Sequence, residues 1–243
     1  MAFLDIATTI PILPYPTSDQ PAENLTPEKQ VKGKIKLMLA FGANRTSANY
    51  SSGNQLAAVK TANGMAIGKI AQIGLQLPLK KNYFLSTGLT YQKLHTTFAY
   101  SEDLGYVDNV AALHRIYRTK HIYHNNFFEF AELNIGAGKK LYFGENWGSQ
   151  ITVLINPSYK LKSTGRTLDE NSAVVYIEDF DAGQKWFLNA GIGVDLFFDT
   201  RFGGLVLGAG LNQSLSKIKL LNDSDLKMQP RSVQFRMGVT RDF

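Results

Sequence analysis

The chain has 243 residues, no cysteine, 12% aromatic residues and a formal net charge of +6. That length allows one domain or two, and the missing cysteines exclude disulfide frameworks, thiolate metal sites, thiol nucleophiles and a lipid anchor on an N-terminal cysteine. With 44% hydrophobic and 19% charged residues, the balance is made up by Gly, Asn, Ser, Thr and Gln. That mixture is too aromatic for a disordered chain and too poor in helix formers for a helical domain. No apolar run approaches the roughly 20 residues of a spanning helix.

Residues 1–32 hold five of the eight prolines (Pro11, Pro14, Pro16, Pro21 and Pro27) and read as an extended linker. The opening MAFLDIATTIPILPYP lacks the basic start and the uninterrupted apolar core of a signal peptide. The chain is then either cytosolic or has lost a targeting segment, with Met1 added; the rest of the sequence favours the second.

From Gly33 onward the hydrophobic pattern has period two, the signature of strands. Ile35, Leu37, Leu39, Phe41 and Ala43 alternate with Lys34, Lys36, Gly42 and Asn44. Ala71, Ile73, Leu75 and Leu77 follow, against Gln72, Gly74 and Gln76. Over 83–92, Tyr83, Leu85, Leu89 and Tyr91 oppose Ser86, Gly88, Thr90 and Gln92. Asn126–Ala131 loses the parity, because Phe127, Phe128 and Phe130 occupy both faces and Glu129 shares the apolar one; a β-bulge there would restore it. The preceding RIYRTKHIYHN reads as the same strand continuing beyond a membrane, and 131–138 alternates again.

Four further strands follow over 151–161, 186–196, 205–216 and 231–243. In the last, Val233, Phe235, Met237, Val239 and Phe243 oppose Ser232, Gln234, Arg236, Gly238, Thr240 and Asp242. The eight strands are joined by long links (about 45–64, 101–113, 164–184), a medium one (220–230) and short ones (78–82, 142–149, 199–201). Long and short connections on alternate sides describe an antiparallel up-and-down meander.

Alternation alone fits either a soluble barrel or a membrane barrel turned inside out. Three features favour the membrane. The polar face carries small and amide side chains rather than Lys and Glu, as a narrow hydrogen-bonded lumen requires. The strands are near the length a tilted membrane strand needs. Aromatic residues gather at the strand ends, with Tyr83, Tyr142, Phe143, Phe197, Phe198, Phe202 and Phe243 at the short turns and Tyr91, Tyr100, Tyr123, Tyr159 and Trp186 towards the long loops, as two interfacial girdles would be. The expected fold is all-β, an eight-stranded antiparallel up-and-down transmembrane β-barrel over 33–243 behind the N-terminal linker. In lipid every backbone polar group must be paired internally, so the first strand must meet the last.

Leu37, Leu39, Leu89, Ile192, Leu207 and Phe235 then face lipid. Lys34, Lys36, Lys160 and Arg236 face the lumen, where Glu132, Asp195 and Asp242 can pair with them. An eight-stranded interior is filled by side chains, so these groups are expected to form a polar network rather than an open pore.

Four segments, NYFLSTGLTYQKL (82–94), NNFFEFAELNIGAGKKL (125–141), WFLNAGIGVDL (186–196) and RSVQFRMGVTRDF (231–243), resemble the small outer-membrane β-barrels of the Bacteroidetes, the PorT-like type. The resemblance covers about 33–243 and implies a Gram-negative outer membrane and a signal peptide, which this chain lacks. It also implies that Phe243 serves as the C-terminal signal read by the barrel-assembly machinery. Some members carry the barrel behind a Pro-rich periplasmic linker joined to an upstream domain, and residues 1–32 suit the end of one.

Chemistry is faint by comparison. His121 and His124 fall on opposite faces of a strand, which disfavours a shared metal, and no nucleophile elbow is present. The Gly-X-Gly pairs at 136–138, 191–193 and 208–210 lie inside strands with no helix following, so they are not nucleotide loops; they leave room in a narrow barrel. The basic residues are scattered without an aromatic-interleaved stripe, which argues against nucleic acid, and many sit at strand ends suited to acidic headgroups. The loop 164–184 carries Asp169, Glu170, Glu178, Asp179 and Asp181, a solvated acidic patch or a cation site. The expectation is a monomeric, non-enzymatic structural, binding or sensing module without a cofactor, surrounded by outer-membrane lipids and lipopolysaccharide. A lipid-modifying acyl hydrolase or transferase and a soluble lipid-binding barrel are the alternatives.

Overall fold

The computed structural model describes residues 34–51, 56–109, 114–169, 171–221 and 225–243; the linker expected over 1–32 and Glu170 lie outside them. The elements are β1 (Lys36–Ser51), α1 (Leu56–Ala62), β2 (Asn63–Pro78), β3 (Tyr83–Asn109), β4 (His114–Tyr142), β5 (Trp147–Leu168), β6 (Val174–Ile177), β7 (Trp186–Thr200), β8 (Gly203–Ser214), β9 (Ile218–Lys219) and β10 (Lys227–Asp242), with a 3₁₀ turn at Lys80–Asn82. β1, β2, β3, β4, β5, β7, β8 and β10 form an antiparallel ring closed by β1 against β10. That closing ladder runs from Lys36↔Asp242 to Ser51↔Lys227. The fold is thus the closed transmembrane barrel expected from the alternation, and no strand edge of the ring is left for lipid to meet.

Three short links lie at one end. Pro78 ends β2 because it cannot donate to a ladder, and Lys81 and Asn82 turn the chain with φ of 57° and 62°. The β7–β8 turn needs a glycine at 203, where φ is 146° and a Cβ would meet the Thr240 carbonyl oxygen at 2.6 Å. The other end carries α1, β6, β9 and the long links. α1 is built from good helix formers (LAAVKTA), and Asn63 Nδ2 donates to the Val59 carbonyl at 2.9 Å, satisfying one of the acceptors that a helix end leaves open.

The strands outrun the alternating segments read from sequence. β3 and β4 are 27 and 29 residues long, against the ~9–11 that cross a bilayer. The region 101–113, expected as a loop, is mostly a strand hairpin that pairs Tyr106 with Tyr117 near its tip.

Along the outer face of the ring, Leu39, Ile73, Leu89, Ile135, Val153, Ile192, Leu207 and Phe235 are all exposed. Inward on the same strands lie Asn44, Gln72, Thr90, Glu132, Thr152, Asp195, Asn212 and Gln234, all buried. Towards the long links this polarity reverses. Inward positions become Leu94, Phe98, Ile122, Phe128, Phe130, Phe187 and Met228, which join Val59 and Ala62 of α1, Leu168, Phe180, Ile218, Leu220 and Leu226 in one buried apolar cluster. Outward positions at this level are Lys93, His95, Thr97 and Lys162.

That reversal accounts for the parity problem at Asn126–Ala131. The strand β4 itself is regular: Phe128 and Phe130 point in, while Phe127 and Glu129 point out. The bulge expected in that segment belongs to the partner strand, since the register steps from Glu129↔Lys162 to Phe130↔Lys160 and leaves Leu161 of β5 as the extra residue. A second shift falls between Met65 and Lys69 of β2.

Candidate functional site

The inward residues of β7, read from the short-turn end, mark the levels of the lumen: Asp199, Phe197, Asp195, Asn189 and Phe187. At the first level Lys36 Nζ donates to both carboxylate oxygens of Asp199 at 2.7 Å and lies 3.7 Å from Asp242. At the second, Phe84 and Phe197 are buried side chains, with the Lys140 ammonium 5.5 and 5.7 Å from their ring centres. Phe197 therefore lines the lumen, not the short-turn girdle where the sequence reading placed it. Its parity follows Asp195, whereas Phe198 faces out.

The third level is an ion pair. The Arg236 guanidinium approaches Asp195 at 2.8 Å with a second contact through Nε at 3.0 Å, and the two side chains are only 8% and 1% exposed. Gln150 Nε2 adds a bond to Asp195 at 2.9 Å, and Gln76 donates to Gln150 at 3.3 Å. Such a pair holds together in a low dielectric only with its remaining hydrogen-bonding sites satisfied. Gly208 makes the room, because a Cβ there would sit 1.8 Å from Asp195 Oδ1.

The fourth level centres on Glu132. Its Oε1 accepts from Gln92 Nε2 at 2.5 Å, Ser158 Oγ at 2.8 Å and Asn189 Nδ2 at 2.6 Å. These donors come from three other strands and all are neutral, so Glu132 is tied by hydrogen bonds and not by the cations the sequence reading offered it. Beside this level a cavity of about 20 Å³ is lined by Gln92, Asn189, Asn212 and Ser232, space for a single water.

Lys160 faces inward and is buried, yet its partner comes from above. The segment after β6 folds back into the mouth, where Lys160 Nζ binds the Asp179 carboxylate at 2.9 Å, the Phe180 carbonyl and the Asp181 carbonyl at 2.8 Å. Ser163 Oγ donates to Asp179 at 2.7 Å and accepts from the Phe180 amide at 2.9 Å. Asp181 accepts from the Lys219 amide at 3.0 Å, linking the segment to β9. Phe180 itself is fully buried, its ring centre 5.2 Å from that of Phe128. The acidic loop residues Asp179 and Asp181 thus hold a cap in place, and Asp169 stabilises its own turn through the amides of Asn171 and Ala173.

Of the lumen residues read from sequence, Asp195 and Arg236 meet each other, Lys36 and Asp242 meet at the short-turn rim, and Glu132 and Lys160 occupy separate levels. Lys34 precedes β1, is exposed and has no ion pair among the described residues; it lies below the last ladder rung, where water reaches it. Leu39, Leu89, Ile192, Leu207 and Phe235 are exposed on the outer face, Leu37 partly so. Phe243 is exposed at the short-turn rim, its amide donating to the Ile35 carbonyl at 2.9 Å.

The girdles hold, with three exceptions. Tyr83, Tyr142, Phe143, Trp147, Phe198 and Phe202 are exposed at the short-turn end, and Tyr91 and Trp186 towards the other, where the half-buried Tyr159 packs against Trp186. Tyr123 stands beyond that girdle, opposite Ala99 at the cap level; Tyr100 joins the cap cluster, and Phe197 joins the lumen. An apolar belt between aromatic girdles around a polar interior is the construction of an outer-membrane β-barrel, and the outer-membrane location expected from the sequence agrees with it. The soluble-carrier alternative requires the opposite facing and is not what the side chains adopt. For the hydrolase alternative, Ser101 Oγ lies 2.8 Å from His121 Nδ1 on the exposed hairpin.

No protein-family model and no curated protein matches the chain. Solved structures similar to it include Neisserial surface protein A (10% identity, 86% of this chain and 97% of that one, TM-score 0.47). Ail, the attachment invasion locus protein of Yersinia pestis, solved in complex with the heparin analogue sucrose octasulfate, is 7% identical over 86% and 100% of the two chains, with a TM-score of 0.36. The outer membrane protease OmpT of Escherichia coli is 10% identical over 86% and 97%, with a TM-score of 0.38. At this level of similarity the fold rests on the closed ring of strands described above.

Proposed function

We propose that the chain is a non-conducting outer-membrane barrel that serves as a binding or structural module and presents its capped end away from the cell. The observation that carries this reading is the stoppered mouth. Phe180 is seated in an apolar cluster drawn from most of the barrel strands, and Lys160 latches the segment that bears it. Below it, the Glu132 hub, the Arg236–Asp195 pair and the Phe84–Phe197 level fill the interior with interlocking side chains. Above it, the β3–β4 hairpin beyond Tyr100 extends seven paired rungs, on the order of 25 Å, and its described side chains Asp103, Leu104, Tyr106 and Arg118 are exposed for contacts.

The resemblance of the four segments to PorT-like barrels supports the same reading. In it the short turns and residues 1–32 lie in the periplasm, the linker joining an upstream envelope domain. Phe243 is read by the barrel-assembly machinery, and the barrel stands as a monomer among outer-membrane lipids and lipopolysaccharide. The test is conductance across a planar bilayer in concentrated KCl. The purified, refolded protein is expected to insert without opening steps, and a steady ohmic conductance would overturn the proposal.

A further inference from the structure

The outer face carries a groove of about 760 Å³ whose lining includes Arg45, Arg231, Ile192, Leu211 and Val233. The register explains its shape. Val233, Leu211 and Ile192 form one cross-strand row on β10, β8 and β7, and all three are exposed. The next outward row towards the long links is Arg231, Gln213 and Ala190. Ala190 is small among large neighbours, so the wall dips there.

Arg45 lies opposite Val233, and Arg231 opposite Ser47. The two arginines are therefore a diagonal pair on adjacent strands, about 7–8 Å apart at the backbone. Both are exposed on the outward parity. Arg231 Nε donates to Ser47 Oγ at 3.3 Å, and neither guanidinium has an acidic partner among the described residues. On the other side of Arg45, by contrast, Lys69 of β2 lies opposite Ala43 and begins an outward row through Lys93, Glu129 and Lys162 that carries its own acid, with Lys93 2.9 Å from Glu129. Two guanidinium groups without an acidic partner, above an apolar trough on a lipid-facing wall, suit an anion with a hydrocarbon tail. The planar donor fork of arginine matches phosphate, and the trough lies on the membrane side of it.

We infer that this groove binds a phosphorylated acyl glycolipid of the outer leaflet, the lipid A portion of lipopolysaccharide, with phosphate on Arg45 and Arg231 and an acyl chain along Val233, Leu211 and Ile192. The inference rests on the outer-membrane orientation proposed above and names one lipid site within it.

The test is native mass spectrometry of the refolded full chain in maltoside micelles, titrated with bisphosphorylated lipid A and with dephosphorylated lipid A bearing the same acyl chains. The wild-type protein is expected to hold one bisphosphorylated molecule about tenfold more tightly than the dephosphorylated one, the equivalent of one charge-assisted bond. The R45Q/R231Q variant should lose that preference, and K162Q, on β5 well away from the groove, should keep it. Equal affinity for the two lipids, or an undiminished preference in R45Q/R231Q, overturns the site while leaving the barrel reading intact, provided both proteins insert into lipid vesicles. Failure of the wild-type chain to insert overturns both.

Discussion

The barrel wall and the cap are built from the same strands under opposite rules. Along β3, Gln92 points in and Tyr91 out; a few residues later Leu94 and Phe98 point in while Lys93 and Thr97 point out. On β4, Glu132 points in and Leu133 out, whereas Phe128 points in and Glu129 out. Neither strand breaks or changes its pairing partner at the change. What changes is the medium outside: hydrocarbon rewards an apolar exterior, and water an apolar interior. The side-chain period of two is indifferent to which of these applies, so one continuous ladder can serve both.

The largest expected effect breaks the membrane half alone. Arg236→Ala leaves Asp195 buried without its cation and should cost about 3–5 kcal/mol, read as a lowered urea midpoint in lipid vesicles. Replacing both partners, Asp195→Asn with Arg236→Leu, should recover most of that loss. A small effect of the single change would mean that water reaches this level.

A second comparison sets one substitution in the two media. Ile192→Arg on the lipid-facing wall should cost about 2–4 kcal/mol. Ala99→Arg, outward on β3 at the cap level, should stay within about 0.5 kcal/mol. Similar costs at the two positions would move the hydrocarbon boundary and sink the division drawn here.

The smallest effect is a pH dependence confined to the cap. Burial pushes the Asp179 carboxyl up, but hydrogen bonds from Ser163 and Lys160, with the charges of Lys160 and Lys185, outweigh it and hold the group below the ordinary carboxylate range. A depressed carboxyl stabilises the fold above its unfolded pKa, near 4, and that contribution is lost as the pH falls through the lower folded value. Amide exchange over 174–185 should therefore quicken on acidification through that window while β7 and β8 stay protected. Asp179→Asn should flatten the response.

These outcomes also bear on what could be read before any coordinates. The eight membrane segments were legible because alternation, strand length and girdle position all report the same facing. The 126–131 stretch was not, because Phe127, Phe128, Phe130 and Glu129 straddle the place where the facing rule inverts, and a single rule applied across it returns an apparent irregularity. The cap left no periodic signal. Its members come from α1, β6, β9 and single residues such as Phe180 and Leu226, scattered along the chain and joined only by closure of the ring. Asp195 and Arg236 could be matched by sign and parity. Lys160 has the inward parity, but its partner Asp179 lies in a loop that read as solvated. The spacing that brings Arg45 and Arg231 together depends on register between the first and last strands, which no local pattern contains.

The apolar cluster ties the cap to closure of the cylinder. It takes Phe98 from β3, Phe128 from β4, Phe187 from β7 and Met228 from β10, so its wall is whole only where β10 pairs with both β8 and β1. A ring parted at that seam would open these side chains to water, so the dryness of the upper compartment and the sealing of the cylinder stand or fall together.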